Sequence, residues 1–199
     1  PIAFVTDQNY LNHTLVTLSS VISNSKAQFN VYILFTNINF EARKKCLKKF
    51  ENTNAHLKFI EFDADRFKNY ILHNKKLSLT TYAKFDIPNL ISEEKIIYLD
   101  SDIIVVSDLS TLWHSFDPKY SVMAVPNPPF PKWKDHETIG LSDNQKSFNA
   151  GVLFFNLEKI RNEDRAKELF EFADKFHDVV LLHDESAFNF VFKDDWKPL

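Results

Sequence analysis

The sequence predicts an α/β fold with a mainly parallel central sheet that is flanked by helices. Three apolar runs, which we interpret as buried strands, open the chain, and two segments with helical patterning separate them. This alternation is typical of a parallel sheet covered by helices. The chain has 199 residues, of which 44% are hydrophobic, enough for one domain with a substantial core. We therefore expect residues 1–199 to form a single domain.

The first half of the chain carries a βαβαβ pattern. Leu15, Leu18 and Ile22 recur at helical spacing between the first two strands. Leu47 and Phe50 share one face of the charged segment that follows. The predicted elements are a strand at 2–6, a helix at 12–23, a strand at 31–36, a helix at 41–51 and a strand at 57–62.

The second half is less regular, and a polar connection at 70–79 leads into it. We predict a helix at 80–90 interrupted at Pro88, because proline lacks the backbone N–H that a helix interior needs. The remaining predictions are a strand at 95–99, an extended segment at 103–106, a helix at 108–116, a strand at 121–125, a loop at 126–147 that begins with four prolines in six residues, an apolar run at 148–157 and helices at 161–176 and 184–192.

Composition excludes several classes of function. The formal net charge of −3 argues against general nucleic-acid binding, which needs a basic face. With only two glycines, the chain has no glycine-rich phosphate loop, so any phosphate must be bound by a metal ion, cationic side chains or helix N-termini. No apolar stretch reaches the roughly 18 residues of a membrane span. The single cysteine, Cys46, fits a reducing compartment, and we expect a cytoplasmic protein.

The strongest chemical signal is a pair of carboxylates, Asp100 and Asp102, directly after a hydrophobic strand. Residues two apart in an extended chain point to the same side, so both carboxylates can reach one ion. Oxygen ligands of this kind suit Mg²⁺ or Mn²⁺, which share their coordination with substrate phosphates. A solvated turn is the alternative interpretation, because Asp and Ser are common in turns.

Three further segments combine polar residues with strand or helix ends. Gly151 follows Asn149 and Ala150 at the start of an apolar run, where it permits either close approach of a ligand or a simple bulge. Polar residues after the first strand fit a nucleotide site, although Asp7 or Asn12 could equally cap a helix. The remaining segment, His183-Asp184-Glu185, is explained without catalysis if its acidic residues favour a helix start.

Taken in order, these segments resemble glycosyltransferase family 8, the retaining sugar-nucleotide transferases that include glycogenin and bacterial lipopolysaccharide galactosyl- and glucosyltransferases. The resemblance covers nearly the whole chain. The matching segments are Phe4-Val5-Thr6-Asp7-Gln8-Asn9-Tyr10, Ser78-Leu79-Thr80-Thr81-Tyr82-Ala83-Lys84, Tyr98-Leu99-Asp100-Ser101-Asp102, Phe148-Asn149-Ala150-Gly151-Val152 and His183-Asp184-Glu185.

The resemblance implies a GT-A type nucleotide-diphospho-sugar transferase fold, a UDP-glucose or UDP-galactose donor, and Mn²⁺ or Mg²⁺. It implies that Asp100 and Asp102 bind the metal. It further implies contacts to the sugar nucleotide from Val5, Thr6, Asp7, Asn9, Lys84, Ser101, Ala150 and Gly151. Asp184, Glu185 and Asn149 would face the donor sugar as the catalytic group.

Three departures from the family pattern bear on activity. Lys84 stands where the family has Arg, which keeps the charge and loses the bidentate fork. Glu185 stands where the family commonly has Gln. The family's later His-x-x-Gly-x-x-Lys-Pro-Trp segment has no counterpart, since Trp196-Lys197-Pro198 differs in residues and order. We therefore expect a chain truncated at its C-terminus or a degenerate relative.

The sequence thus predicts a metal-dependent retaining glycosyltransferase that moves a hexose from a UDP-sugar to a glycan or glycolipid acceptor such as lipopolysaccharide. The alternative is a non-catalytic relative that binds a nucleotide-sugar or a glycan. A nucleotidyltransferase is a third hypothesis, and the lack of a glycine-rich loop after the first strand argues against it. A lipid-linked acceptor would bring peripheral contact with the inner membrane. The oligomeric state is left open.

Overall fold

A computed structural model describes residues 1–73, 78–128, 138–142 and 145–199. These residues form seven strands, seven α-helices and two 3-10 helices. The strands are β1 (Ile2–Asp7), β2 (Phe29–Thr36), β3 (Ala55–Glu61), β4 (Lys95–Leu99), β5 (Val122–Pro126), β6 (Phe148–Asn156) and β7 (Trp196–Pro198). The α-helices are α1 (Leu11–Asn24), α2 (Phe40–Phe50), α3 (Ile87–Leu90), α4 (Ser110–His114), α5 (Leu157–Asn162), α6 (Arg165–Phe176) and α7 (Asp184–Val191), and the 3-10 helices are Asp65–Phe67 and Leu79–Asp86.

The strands form one sheet in the order β3-β2-β1-β4-β6-β5-β7. The pairs β3–β2, β2–β1 and β1–β4 are parallel, whereas β6 runs antiparallel to both β4 and β5. The short β7 then pairs parallel with β5. The carboxyl ends of β1 and β4 consequently lie beside the beginning of β6, at the same end of the sheet.

Both faces of the sheet are covered, which is why its central strands are apolar on both sides. In β1, Ile2 and Phe4 pack into one hydrophobic cluster with α1, while Ala3 packs into a second cluster on the opposite face. The second cluster includes Phe85 of the longer 3-10 helix and Phe188 of α7. The structure confirms the mainly parallel sheet flanked by helices.

The βαβαβ opening and the strand at 95–99 are confirmed to within about two residues, two later predictions are wrong, and one strand was missed. The segment predicted as one helix at 80–90 is a buried 3-10 helix followed by α3, where Pro88 lies in the first turn and needs no N–H partner. The helix predicted at 161–176 is two helices, because Asp164 adopts a left-handed backbone with φ 54° between them. Strand β7 was not predicted, since three residues ending in proline carry no strand periodicity.

Parts of two predicted connections fall outside the described residues. Residues 74–77 belong to the predicted polar connection at 70–79, and residues 129–137 and 143–144 belong to the predicted loop at 126–147. Pro126 itself ends β5. Within the described ranges, no helix is both long and apolar enough to cross a membrane.

Candidate functional site

A cleft of about 290 Å³ opens where β1, β4 and β6 meet the start of α7. All but one of the site residues expected from the sequence line it. They are Val5, Thr6, Asp7, Lys84, Asp100, Ser101, Asp102, Asn149, Ala150, Gly151, Asp184 and Glu185. Among the described residues, the exception is Asn9, which is exposed and lies outside the lining.

Gly151 brings β6 against the end of β4. The backbone N–H of Asp100 donates to the Gly151 carbonyl at 2.8 Å. A Cβ atom at position 151 would lie 2.8 Å from Asp100 Oδ2 and 2.9 Å from Asn149 Oδ1, closer than such contacts allow. The glycine is therefore needed for close approach of the Asp100 carboxylate, and the cleft wall has room for that carboxylate only because residue 151 has no side chain.

Asp100 and Asp102 differ in how firmly they are held. Asp100 Oδ1 accepts a hydrogen bond from the Tyr98 hydroxyl at 2.7 Å and lies 3.1 Å from the ammonium nitrogen of Lys84. Burial, followed by the negative charge of Asp100, raises the pKa of Tyr98 well above its ordinary value, so the hydroxyl stays protonated as a hydrogen-bond donor. Asp102 is exposed at the cleft.

Ser101, between the two aspartates, is buried, and its hydroxyl is bound to other parts of the protein. Its hydroxyl donates to the Val5 carbonyl at 3.1 Å and accepts from Thr14 of α1 at 2.9 Å. Thr17 donates to the Ser101 carbonyl at 2.8 Å. These contacts tie the turn to β1 and α1 and fix the backbone from which the two aspartates extend.

Lys84 is buried between three acceptors that belong to three different elements. Its ammonium nitrogen lies 2.6 Å from Asp184 Oδ2, 3.1 Å from Asp100 Oδ1 and 3.3 Å from the Ala150 carbonyl. Burial alone would lower the pKa of Lys84, but the charge of Asp184 and then the neighbouring Tyr98 and Asp100 raise it well above its ordinary value. Two of these contacts, with Asp184 and with the Ala150 carbonyl, are hydrogen bonds, and the contact with Asp100 is an ion pair.

Glu185 is held by uncharged hydrogen-bond donors. Its Oε1 accepts from the side-chain amide of Asn127 at 3.1 Å. Its Oε2 accepts from the Asn149 side-chain amide and from the Ala150 backbone N–H, both at 3.1 Å. Burial raises the pKa of Glu185, and the hydrogen bonds from Ala150 and Asn127 oppose that rise.

Asp184 and Glu185 lie in the first turn of α7, where acidic side chains favour a helix start, and they also contact distant residues. At α7, neither Asp184 nor Glu185 is the N-cap, a position occupied by His183, and both carboxylates are bound to residues of other elements. Asp7 does serve local structure, because its Oδ1 accepts from the backbone N–H groups of Asn9 and Tyr10. Asn12 lies inside α1 and is not its cap.

Several lining residues received no role from the sequence. They are Tyr10, Ser78, Thr80, Thr81, Tyr98, Leu181 and Leu182. Tyr10, Tyr98 and the segment 78–81 stand beside expected site residues in the quoted motifs, which is a signal that could have found them. No sequence signal pointed to the contact of Asn127 with Glu185, because 58 residues separate the two in the chain.

The side chains present fit a divalent cation that shares its coordination with a substrate. Asp100 and Asp102 supply two carboxylates, and Asp100 Oδ2 remains outside the Tyr98 and Lys84 contacts. No group of three or more His, Cys, Asp or Glu residues able to hold a metal occurs in the described parts of the chain. Mg²⁺ is commonly bound through only one or two carboxylates together with substrate phosphates, so this set agrees with a shared site.

The fold is of the GT-A type, as its similarity to a solved galactosyltransferase shows. The chain belongs to glycosyl transferase family 8, whose sequence model matches residues 1–199. The crystal structure of the galactosyltransferase LgtC in complex with donor and acceptor sugar analogues has a TM-score of 0.90 and 27% sequence identity, covering 99% of this chain and 72% of LgtC.

Two curated relatives support the same assignment. Glycosyltransferase GlyF of Streptococcus pneumoniae serotype 4 is 27% identical over 100% of this chain and 47% of its own length. General stress protein A of Bacillus subtilis (strain 168) is 25% identical over 97% of this chain and 69% of its own length. This chain therefore spans about half of GlyF and roughly seven-tenths of General stress protein A and LgtC. These findings support a glycosyl-transfer role.

Proposed function

We propose that this chain forms the donor site of a metal-dependent retaining hexosyltransferase. The donor is UDP-glucose or UDP-galactose, and the acceptor is a glycan or glycolipid such as lipopolysaccharide. The similarity to LgtC, whose structure holds donor and acceptor sugar analogues, supports a sugar donor and a sugar acceptor. We place the reaction in the cytoplasm, where UDP-sugars are made.

The observation that carries the proposal is the charge balance of the cleft. Five carboxylates line it, on Asp7, Asp100, Asp102, Asp184 and Glu185. Among the described lining residues, Lys84 is the one lysine or arginine, and its charge is already paired with those of Asp184 and Asp100. A nucleoside diphosphate would be repelled from such a surface, so its binding here requires a divalent cation.

Asp100 and Asp102 would hold that cation, Mn²⁺ or Mg²⁺. When bound, the ion stabilises the negative charge that develops on the diphosphate as the sugar–phosphate bond breaks. Tyr98 and Lys84 orient the Asp100 carboxylate before the ion arrives, through the 2.7 Å hydrogen bond and the 3.1 Å ion pair. Val5, Thr6 and Asp7, at the end of β1, are proposed to bind the nucleoside.

Asp184, Glu185 and Asn149 are proposed to face the donor sugar. A retaining transfer passes through an oxocarbenium-like sugar, which nearby carboxylate and amide oxygens stabilise. Both Glu185 oxygens are anchored by N–H groups, so this carboxylate presents a fixed negative charge to the cleft. Ala150 and Gly151, which carry little or no side chain, leave room for the sugar beside it.

The second candidate function is a nucleotide-sugar or glycan binder without transfer activity. The pairing of Lys84 favours it, because an ammonium whose charge is already balanced by Asp184 and Asp100 attracts the leaving diphosphate less strongly. Both candidates predict binding of the nucleotide, and only the first predicts that the sugar is released or transferred.

The first experiment is calorimetric titration of UDP into the protein with and without Mn²⁺. We expect binding that requires Mn²⁺ and that is lost in the Asp100→Asn/Asp102→Asn variant, because both ligand charges are removed while the side-chain shapes are kept. The matched control is Asp63→Asn/Asp65→Asn, an exposed pair with the same spacing after β3, which should bind UDP as the wild type does. Binding without Mn²⁺, or equal loss in both variants, contradicts the metal site.

The second experiment separates transfer from binding. The protein is incubated with Mn²⁺ and either UDP-glucose or UDP-galactose, and release of UDP and free sugar is followed over hours. Slow hydrolysis of one of the two donors, abolished in the Asp100→Asn/Asp102→Asn variant, supports the transferase. Mn²⁺-dependent UDP binding without any release from either donor, with or without added glycan acceptors, supports the binder.

A further inference from the structure

Helix α2 concentrates positive charge on a protein whose formal net charge is −3. Of its 11 residues, five are Lys or Arg and one is Glu. The side of the helix that faces the protein is buried and apolar, and it carries Cys46 and Phe50. Ala42 and Arg43 are half-buried, and the remaining residues are exposed and more basic than the composition of the chain would suggest.

Two large apolar side chains lie on that exposed side among the lysines. Phe40 is 66% exposed and Leu47 is 45% exposed. Positions 40, 44, 47 and 48 recur at the spacing that places residues on one face of a helix. Phe40, Lys44, Leu47 and Lys48 therefore form one continuous surface, called here the α2 stripe. Lys45 and Lys49 fall on the other flank of the helix.

A groove beside the α2 stripe offers space for an anionic group. It has a volume of about 470 Å³ and lies between α2 and the start of β3. Lys44, Leu47 and Lys48 line the helix side, and His56 and Leu57 line the strand side together with Ala55. The groove also contains Glu51, so its lining carries two lysines against one carboxylate.

The α2 stripe follows a strand whose carboxyl end is bonded to a residue of the cleft. Thr36, at the carboxyl end of β2, shares a 2.8 Å hydrogen bond with Thr80, a residue that lines the cleft. Phe40 follows Thr36 by four residues and starts α2. A surface that docks along this stripe would hold the chain with the strand ends, and therefore the cleft, close to it.

We propose that the α2 stripe binds the surface of a membrane that contains anionic phospholipids. Lysines attract the negatively charged headgroups, and exposed Phe and Leu side chains between them enter the boundary of the acyl chains. A nucleic acid would complement the lysines but would leave Phe40 and Leu47 without partners. The proposal stands independently of sugar transfer, because it concerns a surface outside the cleft.

The test is co-sedimentation of the whole protein with vesicles of phosphatidylcholine alone and of phosphatidylcholine with 30% phosphatidylglycerol. We expect binding to the anionic vesicles, weakened by raising the salt concentration. The Lys44→Gln/Lys48→Gln variant should bind roughly 30-fold more weakly, because each lysine near an anionic surface contributes about a fivefold factor. The Phe40→Ser/Leu47→Ser variant should lose the part of the binding that persists at high salt.

The matched control is Lys45→Gln/Lys49→Gln, which removes the same charge from the other flank of α2. We expect its binding to fall less than about threefold. All these positions are exposed, so thermal unfolding should show that each variant folds as the wild type does. Equal losses in the two lysine variants, equal binding to neutral vesicles, or no vesicle binding by the wild type would each overturn the proposal. None of these outcomes changes the UDP titration.

Discussion

Asp184 and Glu185 are consecutive residues at the start of α7, yet the protein holds their carboxylates in opposite ways. Asp184 Oδ2 lies 2.6 Å from the buried ammonium of Lys84, a full positive charge. Glu185 has no such partner and accepts three hydrogen bonds from the neutral N–H groups of Asn127, Asn149 and Ala150. One carboxylate is balanced by charge and the other by several weak dipoles.

This difference indicates whether the fold depends on the charge or on the shape of each side chain. A buried ion pair is costly to break from one side, because the remaining charge has neither water nor a counter-ion. A hydrogen bond from a neutral N–H group needs an acceptor oxygen in the right position more than it needs a charge on that oxygen. A side chain of the same shape can therefore partly replace the carboxylate. We therefore expect charge to matter most at 184 and shape to matter most at 185.

The largest effect should come from Lys84→Met, which removes the ammonium and leaves Asp184 buried. We expect the free energy of unfolding to fall by about 3–5 kcal/mol, the usual range for a buried pair broken from one side. Adding Asp184→Asn should recover part of that loss, because the unpaired charge is gone. Lys84→Arg, which keeps the charge, should be milder than Lys84→Met. Denaturant unfolding of the variants measures all three.

The control for Lys84 is Lys167→Met, which removes an exposed ion pair with Glu171 on α6. Surface pairs of this kind contribute at most about 1 kcal/mol, so its stability should stay close to the wild type. Simple additivity of Lys84→Met and Asp184→Asn would contradict the comparison, because it would mean that the two side chains do not act as a pair.

A smaller effect is expected from Gly151→Ala, which places a new atom beside Asp100, the second carboxylate that is paired with Lys84. The new Cβ would lie 2.8 Å from Asp100 Oδ2, so the carboxylate must turn away from Tyr98 and Lys84. We expect a loss of about 1–3 kcal/mol in stability. Weaker Mn²⁺-dependent binding of UDP should accompany it.

The double variant Gly151→Ala/Asp100→Ala tests the reason for this loss. If the contact with Asp100 Oδ2 is the cause, the alanine at 151 should cost less stability in the absence of that carboxylate. The same cost in both backgrounds would assign the effect to the 2.9 Å approach of Asn149 Oδ1 instead.

Regular elements with clear apolar periodicity could be predicted, and elements fixed by tertiary contacts could not. Strand β4 was predicted with its observed ends because Lys95–Leu99 is apolar, short and bounded by polar residues. The 3-10 helix Leu79–Asp86 has five buried residues in eight, so its shape follows from packing on all sides rather than from a helical stripe. The break at Asp164 depends on one backbone angle, which no spacing of side chains reveals.

The candidate site shows the same division between local and distant contacts. The sequence contains a second D-x-D pair, Asp63 and Asp65, which also follows a strand. That strand, β3, is at the edge of the sheet, whereas β4 lies between β1 and β6, where polar residues of several elements converge. The sequence analysis selected Asp100 and Asp102 because a hydrophobic strand precedes them, and the family resemblance agreed; strand order gives a further physical reason. The contact of Lys84 with Asp184 joins residues 100 positions apart and could not be predicted from spacing.

The smallest effect on stability is expected at Glu185, and its sign depends on pH. Glu185→Gln keeps the shape, and one amide oxygen still accepts a hydrogen bond, so stability at neutral pH should remain within about 1 kcal/mol of the wild type. We also expect this variant to retain at least part of any transfer activity. Complete loss of activity with the fold intact would make the carboxylate essential.

The pH dependence follows from the raised pKa of Glu185, whose ordinary value is 4.5. When the pKa is higher in the folded state than in the unfolded state, the folded protein binds more protons between the two values. The wild type therefore loses stability relative to Glu185→Gln as pH rises from about 4.5 through the folded-state pKa, and each unit of difference corresponds to about 1.4 kcal/mol. Urea unfolding of both proteins between about pH 4 and 8 measures this change. A stability difference that is constant, or that moves in favour of the wild type, would show that the three N–H donors outweigh burial at this carboxylate.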